Sequence, residues 1–294
     1  MVVTFKPSNR SAYFNVMPAG SDVIGRKDRI KHMEGVMIMK KHELAAYSWE
    51  EISEMDTGKT VILIPLGSIE QEGTHLPLGV DTYVAEALAN EAAKESNALS
   101  GPPLSIGYSE WFYEFSGVIS IKMETVLNYL RDYCESLVSH GFRKIIFVNG
   151  HAGNSPAVDV VARELVRKHE DVRIAMAGVW QIADSFAKNL SVLNEKKFTH
   201  AGEVMTSVML YLRPETVDMG RAKAEYVKSP SPPFVSKSSL GPAEFKGIGI
   251  SLYDRTKKLT ESGIMGDPMA ASAEKGKILF NQIKSYISEM VKNL

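Results

Sequence analysis

Two hydrophobic periods alternate along this chain. Short continuous apolar runs at 61–64 and 145–148, rich in β-branched residues, read as buried strands, and 173–177 reads as another. Between them, apolar residues recur at helical spacing. Met123, Val126, Leu127, Leu130, Cys134, Leu137 and Val138 place one amphipathic helix over 122–139, and Gly141 ends it. Ser155-Pro156 opens the next, with Ser155 as N-cap and Pro156 at the first helical position. A short helix at 49–55 starts from Ser48 with Glu51 three residues on, a capping-box spacing. Further helices are expected at about 82–94, from about 201 until Pro214 stops it, and at about 270–292. Strands alternating with covering helices predict an α/β fold, a single-domain three-layer sandwich with a mostly parallel sheet and helices on both faces.

Two stretches depart from this pattern. Residues 1–38 are weakly periodic and read as an N-terminal extension, or as an arm packed on a neighbouring subunit; residues 39–294 form the α/β domain. Residues 226–250 hold Pro230, Pro232, Pro233 and Pro242 and read as a long loop, of the kind that serves as a lid, a binding loop or a subunit contact.

Composition narrows the function classes. The 34 basic and 35 acidic residues nearly cancel, and no basic stripe stands out, which argues against nucleic acid as a partner. No apolar run approaches the roughly 20 residues of a membrane span, and the N-terminus lacks the apolar core of a secretory signal. The single cysteine, Cys134, excludes an internal disulfide and sits on an amphipathic helix as a structural thiol; a cytoplasmic location is expected.

The chemistry-bearing residues follow the strands. After the first run comes Gly67-Ser68-Ile69-Glu70-Gln71-Glu72-Gly73-Thr74-His75-Leu76-Pro77-Leu78-Gly79-Val80-Asp81, and after the second Asn149-Gly150-His151-Ala152-Gly153-Asn154. Carboxylates and a histidine are thus delivered to strand carboxyl ends, where open α/β sheets place their ligands. Glu70, Glu72, Asp81 and His151 form a metal-ligand set whose mutual repulsion a divalent cation would relieve. Each also has a plainer reading: Asp81 before Thr82 as a helix N-cap, Glu70 and Glu72 as solvated loop charges, His151 as a satisfied strand-end residue. His75 fits either a residue that orients a ligand or a structural one. His200, before Ala201-Gly202, fits a proton carrier or a helix-entry histidine. Trp111, Phe112, Tyr113 and Phe115, interleaved with Glu110 and Glu114, read as core or as a pocket lining, and Trp180 follows a strand end.

The Gly-Ser-Ile-Glu-Gln-x-Gly-x-His-Leu-Pro-Leu-x-x-Asp segment and Asn-Gly-His-x-Gly-Asn resemble the metal-binding signature of the creatininase (creatinine amidohydrolase) family. Phe115-Ser116-Gly117, His200-Ala201-Gly202 and the segment from Gly263 to Pro268 with Ala273-Glu274-Lys275-Gly276 extend the likeness, in order, over about 42–290. The resemblance implies a homo-oligomer, often a hexamer, holding one or two divalent ions (Zn, Mn or Fe) per subunit. It implies Glu70 and His151 on a first metal, Asp81 bridging, His200 in catalytic proton transfer and Trp180 in the pocket; from the residues themselves, Glu72 is expected to help hold a second, weaker ion and to take part in catalysis, and His75, Trp111 and Tyr113 to line the pocket.

Two departures stand out. The family usually has His where this chain has Glu72, and many members have Glu where this chain has Met205. Met205 lies on an apolar stripe, and Glu203, about 200° away around the helix, cannot simply replace that carboxylate. The second site is therefore altered, and a carboxylate in place of imidazole favours harder ions such as Mn²⁺, Fe²⁺ or Mg²⁺ over Zn²⁺. The expected function is hydrolysis by metal-activated water at a carbonyl carbon of a small cyclic amide, formamide or related C–N substrate, with His200 protonating the leaving group. The alternatives are carbon–carbon hydrolysis of a cyclic diketone such as a diketo-inositol, and a non-catalytic oligomeric binding protein with a degraded second site.

Overall fold

The computed structural model describes residues 41–228, 233–236 and 243–294, together with the backbone of two short strands nearer the N-terminus. Contacts divide the chain into two compact units, Met1–Lys40 and Lys41–Leu294. In the first, β1 (His32–Met33) pairs antiparallel with β2 (Val36–Met37). The rest of the expected extension lies outside the described residues.

The larger unit is built on four parallel strands: β3 (Val61–Leu66), β4 (Leu99–Ser100), β5 (Lys144–Asn149) and β6 (Arg173–Gly178), in the order β4-β3-β5-β6. All six residues of β3 are buried, which explains its continuous apolar run. Leu63, Ile146 and Val148 pack into the cluster formed with α2 (Val80–Ser96), α5 (Val179–Ala187), α6 (Glu203–Leu212) and α8 (Ala273–Asn293). The two-residue alternation turns Ile62, Ile64, Ile145 and Phe147 to the other face. There α3 (Met123–Ser139) and α4 (Ser155–Lys168) bury Val126, Leu130 and Val138, and Val158, Val161 and Leu165. Cys134 is fully buried on α3, and burial pushes its thiol up to about 12. Among the described residues no helix is long and apolar enough to cross a membrane.

The strand order positions the site. From β3 the chain passes through α2 to β4 on one side, then returns through α3 to β5 on the other. Order reverses between β3 and β5, and the crevice outside their carboxyl ends is where open α/β sheets bind ligands.

Several local expectations change. Helix α1 (Trp49–Ser53) carries both capping-box bonds between Ser48 and Glu51. Helix α4, however, has Asn154 at its N-cap, and Ser155 lies inside it, its hydroxyl accepting from Asn149 Nδ2 at 3.0 Å. Helix α2 starts at Val80 with Gly79 at the cap. Asp81 therefore lies within the first turn, and its carboxylate does not serve as a cap. Helix α5 begins at Val179, where the sequence reads as the end of a strand. Within 226–250 the described residues include β7 (Phe234–Ser236), β8 (Ala243–Phe245) and β9 (Ile248–Ile250), an antiparallel sheet in place of an irregular loop, with α7 (Thr256–Leu259) after it.

Candidate metal centre

Two loops bring the carboxylates and imidazoles together. The segment after β3 folds back on itself, the Glu70 amide donating to the Leu78 carbonyl at 3.0 Å. That turn returns the chain to Asp81 near Glu70. The loop after β5 crosses close by: the Gly150 amide donates to the Leu66 carbonyl at 2.8 Å. A Cβ on Gly150 would lie 2.4 Å from the Asp81 carbonyl oxygen, so only glycine permits this approach.

His151 stands between the two acids. Its Nδ1 lies 3.0 Å from Glu70 Oε2 and 3.1 Å from Asp81 Oδ2, and all three residues are buried. Its Nε2–H donates to the Tyr108 carbonyl at 2.8 Å. A carbonyl only accepts, so Nδ1 is the nitrogen left facing the acids, the arrangement by which metal-binding histidines are oriented. Asp81 is held from both sides: Trp180 Nε1 donates to its Oδ1 at 2.8 Å, and Ser68 Oγ to its Oδ2 at 3.0 Å. Ser109 Oγ donates to Glu70 Oε2 at 2.9 Å.

A second group sits beside the first. Glu72 is fully buried, and neither carboxylate oxygen has a hydrogen-bond partner. His200 Nε2 lies 3.3 Å from Glu72 Oε2 without hydrogen-bond alignment. It also lies 2.9 Å from the Gln71 carbonyl oxygen and 2.9 Å from Gln71 Nε2. Phe112 stacks on the His200 ring with centroids 4.8 Å apart. Ala201, the next residue, has φ of 55°, a left-handed conformation that a non-glycine residue adopts at a cost of about 1–3 kcal/mol and that clusters at functional sites.

The electrostatics follow from burial and crowding. Burial lowers the His151 pKa, but the charges of Glu70 and Asp81 outweigh it and hold the imidazole well above its ordinary value. Burial raises Glu70, yet His151 and Ser109 bring it below the usual carboxylate range. Asp81 ends above that range, because burial and the Glu70 charge exceed the help from His151 and Trp180. Glu72 is driven far up by burial and by the charges of Asp81 and Glu70. Burial takes His200 down, against the pull of Glu70 and Asp81.

This donor set fits a divalent ion. One ligand atom from each of Glu70, Asp81 and His151 lies within 4.8 Å of the others, and the same holds for Glu70, Glu72 and His200. Among the described residues no lysine or arginine pairs with Glu70, Glu72 or Asp81. Three buried carboxylates and the unpartnered oxygens of Glu72 call for positive charge, and among the described residues His151 is the imidazole held charged beside them. A divalent ion would meet the same balance once His151 Nδ1 gave up its proton.

The remaining expected site residues fall differently. His75 is buried, its Nε2 bonded to Thr206 Oγ1 at 2.8 Å and its Nδ1 without a hydrogen-bond partner. Trp180 is buried, stacked on Phe198 at 5.1 Å, and bonded to Asp81 instead of lining an open pocket. Trp111 and Tyr113 are exposed, and Phe112 is the aromatic that reaches His200. Met205 is buried in the apolar core. Glu203 is a structural acid: Lys275 Nζ donates to its Oε1 at 2.6 Å, and the Asn194 and Glu195 amides to its Oε2. Sequence reasoning missed Ser109, the Tyr108 carbonyl and Gln71. Gln71 lies inside the motif between two acids, a usable signal; Ser109 and Tyr108 carry none.

Comparison with known proteins decides the family. The creatininase family model, described as creatinine amidohydrolase, matches residues 45–291. This chain belongs to the creatininase family. It is thereby a metal-dependent hydrolase, which sets aside the non-catalytic reading. It is 32% identical over 231 residues to a mycofactocin precursor peptide peptidase of Mycobacterium ulcerans, covering 76% of this chain and 80% of that protein. It is 26% identical over 245 residues to a 3-dehydro-scyllo-inosose hydrolase of Thermotoga maritima, covering 80% and 77%. A crystal structure of creatinine amidohydrolase superposes with a TM-score of 0.70 at 24% identity, covering 86% of this chain and 98% of that one, and shares its fold.

Proposed function

We propose that this creatininase-family chain hydrolyses a C–N bond at the carbonyl carbon of a small polar substrate, a cyclic amide, a formamide or a short peptide. The observation that carries the reading is the convergence of Glu70, Asp81 and His151, with His151 Nδ1 3.0 Å from Glu70 Oε2 and 3.1 Å from Asp81 Oδ2. These three residues would hold the ion. A divalent ion bound there would supply an acidified water and an electrophile for the carbonyl oxygen.

The protein's own groups supply the rest. Tyr108, Ser109, Ser68 and Trp180 fix the three ligands and remove the entropy of orienting them. Glu72 Oε2 and His200 Nε2, 3.3 Å apart, are the two receivers for the proton released by the attacking water. Either can return that proton to the leaving nitrogen. Phe112, itself buried, stacks on His200. The carboxylate-rich set supports Mn²⁺ or Fe²⁺ over Zn²⁺. We assign the chain to a homo-oligomer, for which exposed Trp49 and Tyr253 offer apolar contact surface. Carbon–carbon hydrolysis of a cyclic diketone is the second reading, supported by the likeness to the inosose hydrolase.

The test is a substrate panel of lactams, formamides, short peptides and keto-inositols, run on protein loaded in turn with Mn²⁺, Fe²⁺ and Zn²⁺. Turnover of a C–N substrate, abolished together with bound ion in His151→Ala, is the expected result. Turnover confined to the keto-inositols would select the second reading. No turnover of any class by ion-loaded protein would overturn the proposal.

A further inference from the structure

Glu70, Glu72, Asp81, His151 and His200 are each at most 4% exposed, so a substrate needs a way in. The loop at 108–118 lies against three of them at once. Its Tyr108 carbonyl accepts from His151, its Ser109 hydroxyl donates to Glu70, and its Phe112 ring stacks on His200. Phe112 is buried, yet Trp111 and Tyr113 on either side of it are exposed. On this side the loop is a single layer of chain between His200 and solvent.

The backbone of this loop is tied at its base and not at its tip. The Ile119 amide donates to the Ile69 carbonyl at 2.9 Å, and the Ile121 amide to the Gly107 carbonyl at 3.1 Å. Above them, the amides of Phe112, Tyr113, Phe115 and Val118 donate only to carbonyls of the loop itself. Gly117 has φ of 86°, a turn that favours glycine. Apart from Phe112, side-chain contacts with the segment at α7 hold the tip down. Arg255 donates to Glu114 Oε1 through Nη2 and, at 2.8 Å, through Nε. The Thr256 hydroxyl donates to the Trp111 carbonyl, and Lys257 Nζ lies 4.8 Å from the centre of the Phe115 ring. Arg255 is exposed. Segments held by a few polar contacts at the surface belong to the low-stability end of a fold and open locally.

We propose, resting on the reading of Glu70, Asp81 and His151 as the hydrolytic ion site, that residues 109–118 form a lid latched to α7 through Glu114 and Arg255. Release of this latch sets the rate at which ions and substrates pass between the centre and solvent. Closed, the lid keeps Ser109 on Glu70 and Phe112 on His200; open, it lifts both away. The latch acts on passage in both directions. Weakening it therefore speeds entry and departure alike and leaves the affinity as it was.

Manganese exchange tests this on the full-length protein. Mn²⁺-loaded protein is mixed rapidly with a chromogenic chelator, at concentrations where the rate no longer depends on the chelator. Uptake by chelator-stripped protein is followed in the same way, and equilibrium titration gives the affinity. Glu114→Gln and Arg255→Gln should each speed release and uptake together, by about fivefold, the scale of one surface ion pair, with the dissociation constant unchanged. Amide hydrogen exchange across 108–118 should quicken in both variants while β3 and β5 keep their protection. Unchanged ion and amide exchange in the variants overturns the lid and leaves the hydrolase reading standing. Faster release with unchanged uptake also overturns it, because the pair would then only shape the site. No Mn²⁺ binding by any of the proteins overturns the ion site and the lid together.

Discussion

His151 Nε2 donates to the Tyr108 carbonyl at 2.8 Å, and this one bond decides which ring nitrogen faces Glu70. The carbonyl reaches the ring because residue 153 is glycine. A Cβ there would lie 2.2 Å from the Tyr108 oxygen and 2.4 Å from His151 Nε2.

Gly153→Ala should therefore turn the imidazole away while leaving the sheet intact. Loss of such an orienting contact typically costs about 10–100-fold in metal affinity or activity. Titration of chelator-stripped protein with Mn²⁺, alongside circular dichroism to confirm folding, checks this. Unchanged affinity would mean that the Tyr108 bond does not orient His151.

Glu203 offers a contrast, since it is fully buried yet tied to Lys275 and to two backbone amides. Removing one partner of a buried pair destabilises by about 3–5 kcal/mol. Glu203→Gln should lower the unfolding midpoint without changing manganese content per folded chain. Loss of ion at unchanged stability would give Glu203 a place among the ligands.

His75 makes stability depend on pH. Burial lowers its pKa to about 4, from 6.5. As pH falls below about 6.5 the unfolded chain takes up a proton that native His75 refuses until about pH 4, so the unfolded state binds more protons throughout that window. The stabilising contribution is complete above about 6.5 and is lost on the way to 4, a difference of up to about 3 kcal/mol. Urea unfolding at pH 7 and pH 5 should show this fall, and His75→Gln, which retains a donor for Thr206, should flatten it. Equal slopes for the two proteins would remove His75 from the acid response.

The sequence made the architecture and the ligand-bearing loops legible because both depend on short-range signals. Continuous apolar runs mark strands buried on both faces, and glycine-rich acidic segments after them mark the sheet's functional edge. The pairing of Trp180 with Asp81 was not legible, since they stand 99 positions apart and a tryptophan after a strand reads equally well as a pocket wall. The same holds for Ser109, an ordinary serine whose role exists only once its loop lies over Glu70. The antiparallel β7–β9 sheet was hidden by its prolines and by strands of three residues each, too short for period-two patterning to register. Helix α5 was hidden because Val179-Trp180 continues the apolar run of β6 without a break.

The reversal of strand order between β3 and β5 has a thermodynamic consequence. Glu70 and Asp81 come from one side of that seam and His151 from the other, so the unfolded chain, with Asp81 and His151 70 positions apart, offers an ion no ready-made grip. An ion clasped across the seam acts as a rivet through the centre of the sheet, and at a hundredfold excess over its dissociation constant it would add about 2.7 kcal/mol to the native state. Resistance to heat and readiness to react would then be set by the same dissolved cation, and depriving the protein of it would loosen the framework as well as silence the chemistry.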